Sequence, residues 1–488
     1  MKATVLVDLG YGDSGKGATV DYFSRQALSA GENPVVVRYT SGAQCAHNVV
    51  TPEGMHHEFR HYGSGSLVGV PTFLSRDVII TTEILVMETG SLAAKCSLAH
   101  TTLPSIAAHI DSLVTMPWQR AMNMLKEAHR QKTGVHHGSC GFGIGETMDY
   151  ALRFPDHAIR LGDFYELSAQ DLTDKAVTSL RWYMSTYAEL IEEVRANSDI
   201  KADYVLDWFN DFDSMTEFRE VMNRVCEVEK ANLSLISIRP MSDAEWHSQL
   251  SQFDHLIFEG GQGVMLDEWY GFNPHTTWAT TTSANAKRIC DELDITDTVT
   301  YGITRAYSTR HGAGPMPTED ATFAEYMKDR EIHNRTGAFQ GSFRFGFFDA
   351  VGTTYAIEAN GGIDALIINN IDDVAALDVL ECCIAYRDED DSYVFRLDVP
   401  AKTLEASLAL TNYVKKLVPQ TFKCPLRWAE ALEVPREELY APIGTFIADL
   451  VGESLYMIGV GTTANDRIII GCKNETKIDE NVNIMATT

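Results

Sequence analysis

Residues 8–21 read Asp-Leu-Gly-Tyr-Gly-Asp-Ser-Gly-Lys-Gly-Ala-Thr-Val-Asp and follow the apolar run Ala3 to Val7. The spacing from Gly10 to Gly15 and Lys16 lets successive backbone N–H groups wrap phosphate oxygens while the lysine reaches the terminal phosphates. A nucleotide is expected there. In the usual loop of this kind a Ser or Thr follows the lysine and ligates Mg²⁺, whereas here Gly17 follows and a carboxylate, Asp13, sits inside the loop. An acid among phosphates is unfavourable unless it ligates a metal or takes a proton from a substrate, which points to chemistry rather than switching.

Further along, Ser41-Gly-Ala-Gln-Cys-Ala-His-Asn48 places small residues beside one histidine and two amides, Gln44 and Asn48, as close approach to a substrate requires. A lone histidine is more often a satisfied structural one. Gly138-Ser-Cys-Gly-Phe-Gly-Ile-Gly145 is dense enough in glycine to offer N–H groups to a second anion, and reads equally as a surface loop. Phe258-Glu-Gly-Gly-Gln262-Gly ends an apolar run with an amide between glycines, at the strand end where α/β sheets bind ligands. Asn369-Asn-Ile-Asp372 ends another apolar run and approximates the Asn-Lys-x-Asp of guanine readers, with Asn370 in the lysine position. A carboxylate there accepts from both the N1–H and the 2-amino group of guanine; adenine lacks that pair of donors.

These loops need rigid elements to carry them. Ala3 to Val7, Pro34 to Arg38 and Asp77 to Thr81 read as short strands, and a helix is expected to start at the phosphate loop. Such alternation predicts an α/β fold with a mostly parallel central sheet. From about Asp171 to Gln252 charged helical stretches such as Ser179 to Arg195 suggest a helical insertion. Strands return at His255 to Glu259, Thr298 to Thr304, Ala365 to Asn369 and Ser454 to Val460, and residues 384 to 400 alternate as an antiparallel hairpin around Arg387-Asp-Glu-Asp-Asp-Ser392. After Lys473 a polar tail is expected. Without repeats or low-complexity tracts, residues 1–488 read as one unit.

The formal charge of −28 argues against nucleic-acid binding, which needs clustered Lys and Arg. Neither an export leader nor an apolar run of about 18 residues is read. The nine cysteines lack metal-type spacing, so reduced thiols in a cytoplasmic protein are expected.

In chain order the clusters resemble the adenylosuccinate synthetase family over nearly the whole sequence. Gly10 to Gly17 is similar to its Trp-Gly-Asp-Glu-Gly-Lys-Gly signature, with Tyr11 and Ser14 replacing Trp and Glu; Arg38 to Asn48 resembles its Arg-Tyr-x-Gly-Gly-His-Asn-Ala-Gly-His-Thr segment. Ala306-Tyr-Ser-Thr-Arg-His-Gly-Ala-Gly-Pro-Met-Pro-Thr-Glu319 is the most specific match, differing mainly at His311 and Met316. The resemblance implies a GTP-dependent ligase that joins an amine, aspartate in the family, to C6 of inosinate through a 6-phosphoryl intermediate. It implies small-molecule partners, a homodimer and Mg²⁺.

Carried over residue by residue, it makes Asp13 the base, His47 the group that neutralises charge on O6, and Gln262 the reader of the 6-oxo edge. Asp13 and Ala46 would hold Mg²⁺. GTP would lie on Gly12, Gly15, Lys16 and Gly17, with Asn370 and Asp372 at guanine and Gly459 and Gly461 closing over it. The purine nucleotide would meet Gln44, Ser139, Cys140, Thr277 and His311, and Arg153, which matches an arginine donated across a dimer interface. The amine donor would meet Gln340, Arg344 and Arg310.

One departure stands out. The family's arginine-rich loop, Thr-Thr-Gly-Arg-x-Arg-Arg, is here Gly337-Ala-Phe-Gln-Gly-Ser-Phe-Arg344-Phe-Gly, with a single arginine. Removing one charge-assisted hydrogen bond costs on the order of 1.5–3 kcal/mol, so removing two weakens binding of a dicarboxylate about a hundredfold or more. Arg335 and His333 stand nearby in sequence. Three classes of function follow: the family reaction, a ligase of the same fold with another donor or purine, and a non-catalytic nucleotide binder. Gly17 cannot supply the metal-binding hydroxyl that a GTP switch needs.

Overall fold

The computed structural model describes residues 1–134, 138–197, 200, 202–331, 341–426 and 436–471. Its centre is a ten-stranded sheet. In chain order the strands are β1 (Lys2–Asp8), β2 (Pro34–Arg38), β3 (Thr72–Leu74), β4 (Ile106–His109), β5 (Arg239–Met241), β6 (His255–Gly263), β7 (Asp297–Arg305), β8 (Ala365–Asn369), β9 (Leu455–Gly459) and β10 (Arg467–Ile469). They lie in the order β10-β9-β8-β7-β1-β6-β2-β3-β4-β5. All neighbours run parallel except β9 and β10. The α/β class expected from the sequence is the observed one.

Residues 5–7, 35–37, 256–258 and 366–368 are apolar without interruption because both faces of the sheet are covered, the usual condition of a parallel sheet. Val5 and Val7 of β1, Val35 and Val37 of β2, Leu256 and Phe258 of β6, and Leu366 and Ile368 of β8 point into one core. Their alternates Leu6, Val36, Ile257 and Ile367 point into another with Val20 and Phe23 of helix α1 (Lys16–Ser29). β6 lies on one side of β1 and the next strand in the chain, β7, on the other, so a crevice opens beyond the carboxyl ends of these strands. The clusters at Gly10, Ser41, Gln262 and Asn370 lie at or just beyond the ends of β1, β2, β6 and β8, whereas Gly138 to Gly145 comes after the helix Pro117–Thr133 in the chain.

The helical insertion exists as Ala169–Thr186, Ala188–Ala196 and Met215–Ile236, with Ser168 and Ser214 capping the first and third. These helices bury a third core, around Trp118, Met122, Leu180, Tyr183 and Met222. Within the expected span 171–252, however, Arg239–Met241 extends to become the edge strand β5, because its backbone pairs with β4. The strand expected at Asp77 to Thr81 is also corrected: only Val78–Ile79 is extended, paired with Ser41–Gly42 outside the main sheet, and the sheet strand is Thr72–Leu74. The hairpin near 387 forms between Val379–Arg387 and Tyr393–Val394, yet the longer partner of the first strand is Val418–Pro425. That distant pairing left no local signal. The tail beyond Lys473 lies outside the described residues.

Candidate active site

A cavity of about 1050 Å³ opens at the carboxyl ends of the central strands. Its wall includes Gly12, Asp13, Gly15, Lys16, Gly17, Gln44, Ala46, His47, Gln262, Asn370, Asp372 and Gly461, which sequence alone scatters over more than four hundred positions. Ser139, Cys140, Thr277, Arg310 and His311 also line it.

The phosphate loop is shaped by a buried carboxylate at the end of β1. Asp8 accepts from the backbone N–H groups of Gly10 at 2.9 Å, Gly12 at 3.3 Å and Ser14 at 3.1 Å, and from Lys16 Nζ at 2.7 Å. Burial pushes the Asp8 carboxyl up, but the adjoining lysine and these donors prevail and hold it below its ordinary value. The loop turns through the left-handed region at Gly12, Asp13 and Gly15, with φ of 99°, 60° and 82°. A non-glycine residue there is strained, and such strain gathers at functional sites. Asp13 is fixed by its own carbonyl, which accepts from Arg305 Nε at 2.5 Å, while its carboxylate stays partly exposed to the cavity, 3.7 Å from His311 Nε2.

The residue after the lysine has a steric reason to be glycine. A Cβ at Gly17 would meet the Asn48 carbonyl oxygen at 2.8 Å and His47 Cβ at 3.1 Å. The strand His47–Val50 lies directly over α1, so the place of the usual metal-binding hydroxyl is filled by the strand that brings in His47.

His47 is held by Glu259 at the end of β6, with Nδ1 2.5 Å from Oε1. Ser64 donates to the same carboxylate through its backbone N–H at 2.9 Å and its hydroxyl at 2.5 Å, and Arg38 stands 4.0 Å away. Burial raises the Glu259 carboxyl, yet Arg38 and these hydrogen bonds bring it down to about 2, so it is ionised. Burial pulls the imidazole below its ordinary value, against the bond to Glu259 that raises it. With Glu259 ionised, Nδ1 turns its hydrogen to the carboxylate, and Glu259 stabilises the positive charge that the ring carries when Nε2 also holds a hydrogen, the form that can meet a developing anion.

Opposite, Gly143 in the left-handed conformation opens the helix Ile144–Arg153, and Asn123 Oδ1 accepts from both Gly143 N–H and Ser139 Oγ at 3.0 Å. The amide of Gln44 faces the cavity with neither its nitrogen nor its oxygen bonded to protein. Arg153, in contrast, is outside the cavity wall on the surface, its Nε 3.0 Å from Asp149 Oδ1.

At the far end, Asn369 of β8 donates to the Ser14 carbonyl at 2.7 Å, and Asn370 takes φ of 60° to start the short helix Ile371–Ala375. This turn aims Asp372 into the cavity, where burial and the neighbouring Asp373 push its carboxyl up to about 6. Gly459 lies behind the wall, since a Cβ there would come 2.2 Å from Asn369 Oδ1; Gly461 lines the cavity.

The donor residues separate. Ser308–His311 pairs antiparallel with Phe343–Gly346, placing Arg310 opposite Arg344. Arg310 lines the cavity, donating to the carbonyls of Pro315 at 2.7 Å and His275 at 3.1 Å. Arg344 does not: Glu319 grips its guanidinium, and the carbonyls of Gly312 and Gly314 accept from its Nη1 at 3.1 and 2.9 Å. Gln340, Arg335 and His333 lie outside the described residues. Sequence reading passed over the parts played by Asp8 and Glu259, for which a carboxylate at the end of an apolar strand was the available signal.

A family model described as adenylosuccinate synthetase matches residues 5–468. Adenylosuccinate synthetases of Anaeromyxobacter dehalogenans (strain 2CP-C) and Saccharopolyspora erythraea are 27% and 28% identical to the chain, each over 96% of it and over 98% and 99% of their own lengths. Among solved structures, fully ligated adenylosuccinate synthetase from Plasmodium falciparum matches with a TM-score of 0.69 at 18% identity, covering 96% of this chain and 100% of its own. Cyanophage S-2L succinoaminodeoxyadenylate synthetase, bound to dGMP and dATP, matches with a TM-score of 0.54 at 15% identity over 96% and 95%. At these identities the two structures establish a common fold.

The crowding at Gly17 has a measurable consequence. Gly17→Ser, which would restore the usual hydroxyl, must displace the strand carrying His47, and turnover is expected to fall at least about tenfold with helix and strand content by circular dichroism unchanged. Undiminished turnover would show that the strand yields.

Proposed function

The chain belongs to the adenylosuccinate synthetase family of GTP-dependent ligases, which join inosinate to aspartate, and we propose that it carries out this reaction in the cavity with Asp13 as the base. Asp13 takes the N1 proton of inosinate, and the resulting O6 anion attacks the γ-phosphorus of GTP and expels GDP. The amine of aspartate then adds at C6 and expels phosphate carrying O6. His47 neutralises charge on O6, Gln262 reads the 6-oxo edge, and Lys16 with the loop N–H groups takes the transferring phosphate. The observation that carries this reading is one cavity lined by Asp13, Lys16, His47, Gln262 and Asp372 together.

The carboxylate of Asp13 and the backbone at Ala46 offer oxygen to the cavity, the donor type that suits Mg²⁺. Bound there, the ion would neutralise phosphate charge. We assign Gln44, Ser139, Cys140 and Thr277, all on the cavity wall, to the nucleotide's own phosphate and His311 to its sugar. With Arg344 held by Glu319, we assign the carboxylates of aspartate to Arg310 and Arg305, two of the arginines that line the cavity. Arg153, exposed on its helix, acquires a role in a homodimer in which it reaches the partner's nucleotide. The site draws on both halves of the chain, which supports reading residues 1–488 as one functional unit, and no helix among the described residues is long and apolar enough to cross a membrane.

Asp13→Ala should lower inosinate-dependent GTP cleavage by about 10²–10⁴-fold, the usual loss for a general base, with GTP binding largely retained. Turnover within tenfold of the parent would overturn the assignment. A second expectation concerns pH. Asp372 can accept from guanine only when ionised, and its carboxyl is raised to about 6. The KM for GTP should therefore climb as pH falls below about 6, approaching tenfold per pH unit. In Asp372→Asn that dependence and the preference for GTP over ATP should both disappear. A GTP KM that is flat from pH 5 to 8 in the parent protein would contradict this role.

A further inference from the structure

Ser41 occupies a conformation that suits glycine. Its φ is 74°, its side chain is fully buried, and it belongs to the two-residue strand Ser41–Gly42 that pairs with Val78–Ile79. A serine retained where glycine would be relaxed calls for something its hydroxyl does. The hydroxyl donates to Gln262 Oε1 at 2.5 Å. It also lies so close to the end of β6 that a Cβ on Gly261 would come 2.1 Å from Ser41 Oγ and 2.8 Å from Cys45 Sγ. Both residues are packed against the backbone that presents Gln262.

Cys45 packs on the same backbone, and its N–H closes the turn onto the Gly42 carbonyl at 3.1 Å. The serine hydrogen points to Gln262 Oε1. Oε1 of the amide is thereby engaged, and among the described residues no hydrogen bond from Gln262 Nε2 to a protein acceptor is found. Gln262 lines the cavity; Ser41 does not.

An amide side chain can present either its oxygen or its NH₂, and the hydrogen bonds around it decide which. We propose that Ser41 is a positioning residue for substrate choice, locking the Gln262 amide with its NH₂ toward the cavity so that the site takes a 6-oxopurine and turns away a 6-aminopurine. The inference rests on the reading of Gln262 as the group that meets the purine 6-position. O6 of inosinate accepts from Nε2, whereas the 6-amino group of adenylate would set donor against donor. A site built to bond one group rejects its counterpart because a buried polar atom is left unpaired. Without the hydroxyl, the amide is free to turn over and present Oε1 to an amino group.

The test compares Ser41→Gly, Ser41→Ala and Gln262→Met with the parent protein, measuring KM and kcat for inosinate and the inhibition constant of adenylate against it. Ser41→Gly removes the hydroxyl together with the backbone strain, and Ser41→Ala removes the hydroxyl alone; a thermal melt establishes that each is folded. Both are expected to raise KM for inosinate, to strengthen adenylate inhibition and so to shift the ratio of the two constants about three- to tenfold toward adenylate, with a smaller change in kcat. A ratio unchanged in both serine variants, while Gln262→Met loses inosinate-dependent turnover, overturns the role of Ser41 and leaves that of Gln262 standing. Full inosinate turnover by Gln262→Met would instead overturn the reading of Gln262 and the inference with it.

Discussion

The site depends first on Asp8, a carboxylate at the end of the central strand that binds three backbone N–H groups and the ammonium of Lys16. Without it, the loop would have to turn through three left-handed residues with its amides unpaired and its lysine unanchored. Breaking such a buried pair by removing one partner costs roughly 3–5 kcal/mol, because the other charge is left without compensation. The strand is fixed in turn by parallel pairing to β6 and β7 on either side. The position of Asp13, which follows Asp8 by five residues, is thus set by the middle of the sheet.

Four carboxylates in one region take different parts because their surroundings differ. Asp8 and Glu259 are buried but faced by cations and N–H donors, so they stay ionised and serve as anchors. Asp13 is open to the cavity with its backbone pinned. Asp372 has an acidic neighbour and little solvent, which raise its carboxyl to about 6. A chain with a formal charge of −28 can bind polyanionic nucleotides because its cavity wall also carries Lys16, Arg305 and Arg310.

The parts of this arrangement that sit within one short segment were legible in the sequence. The phosphate loop declared itself by glycine and lysine spacing, and the strand preceding it by an unbroken apolar run that a parallel sheet requires. Asp13, His47, Gln262 and Asp372 each lie within ten residues of the end of such a run, and the structure gathers them around one cavity. What escaped was set by distant partners. Arg344 reads as a free cation until the fold brings Glu319 to it, and Thr72–Leu74 is too short to announce itself as a strand. Gly17 reads as a missing metal ligand, and only the packing of His47–Val50 on α1 explains it. The lock of Ser41 on Gln262 spans more than two hundred residues and has no local signature.

The central claim is that O6 of the purine is the nucleophile toward GTP and leaves with the phosphate. Running the reaction with inosinate labelled with ¹⁸O at the 6-position, GTP and aspartate, and weighing the released inorganic phosphate by mass spectrometry, tests it directly. The account predicts one ¹⁸O in each phosphate released by the parent protein. Unlabelled phosphate formed at the same rate as adenylosuccinate would contradict it.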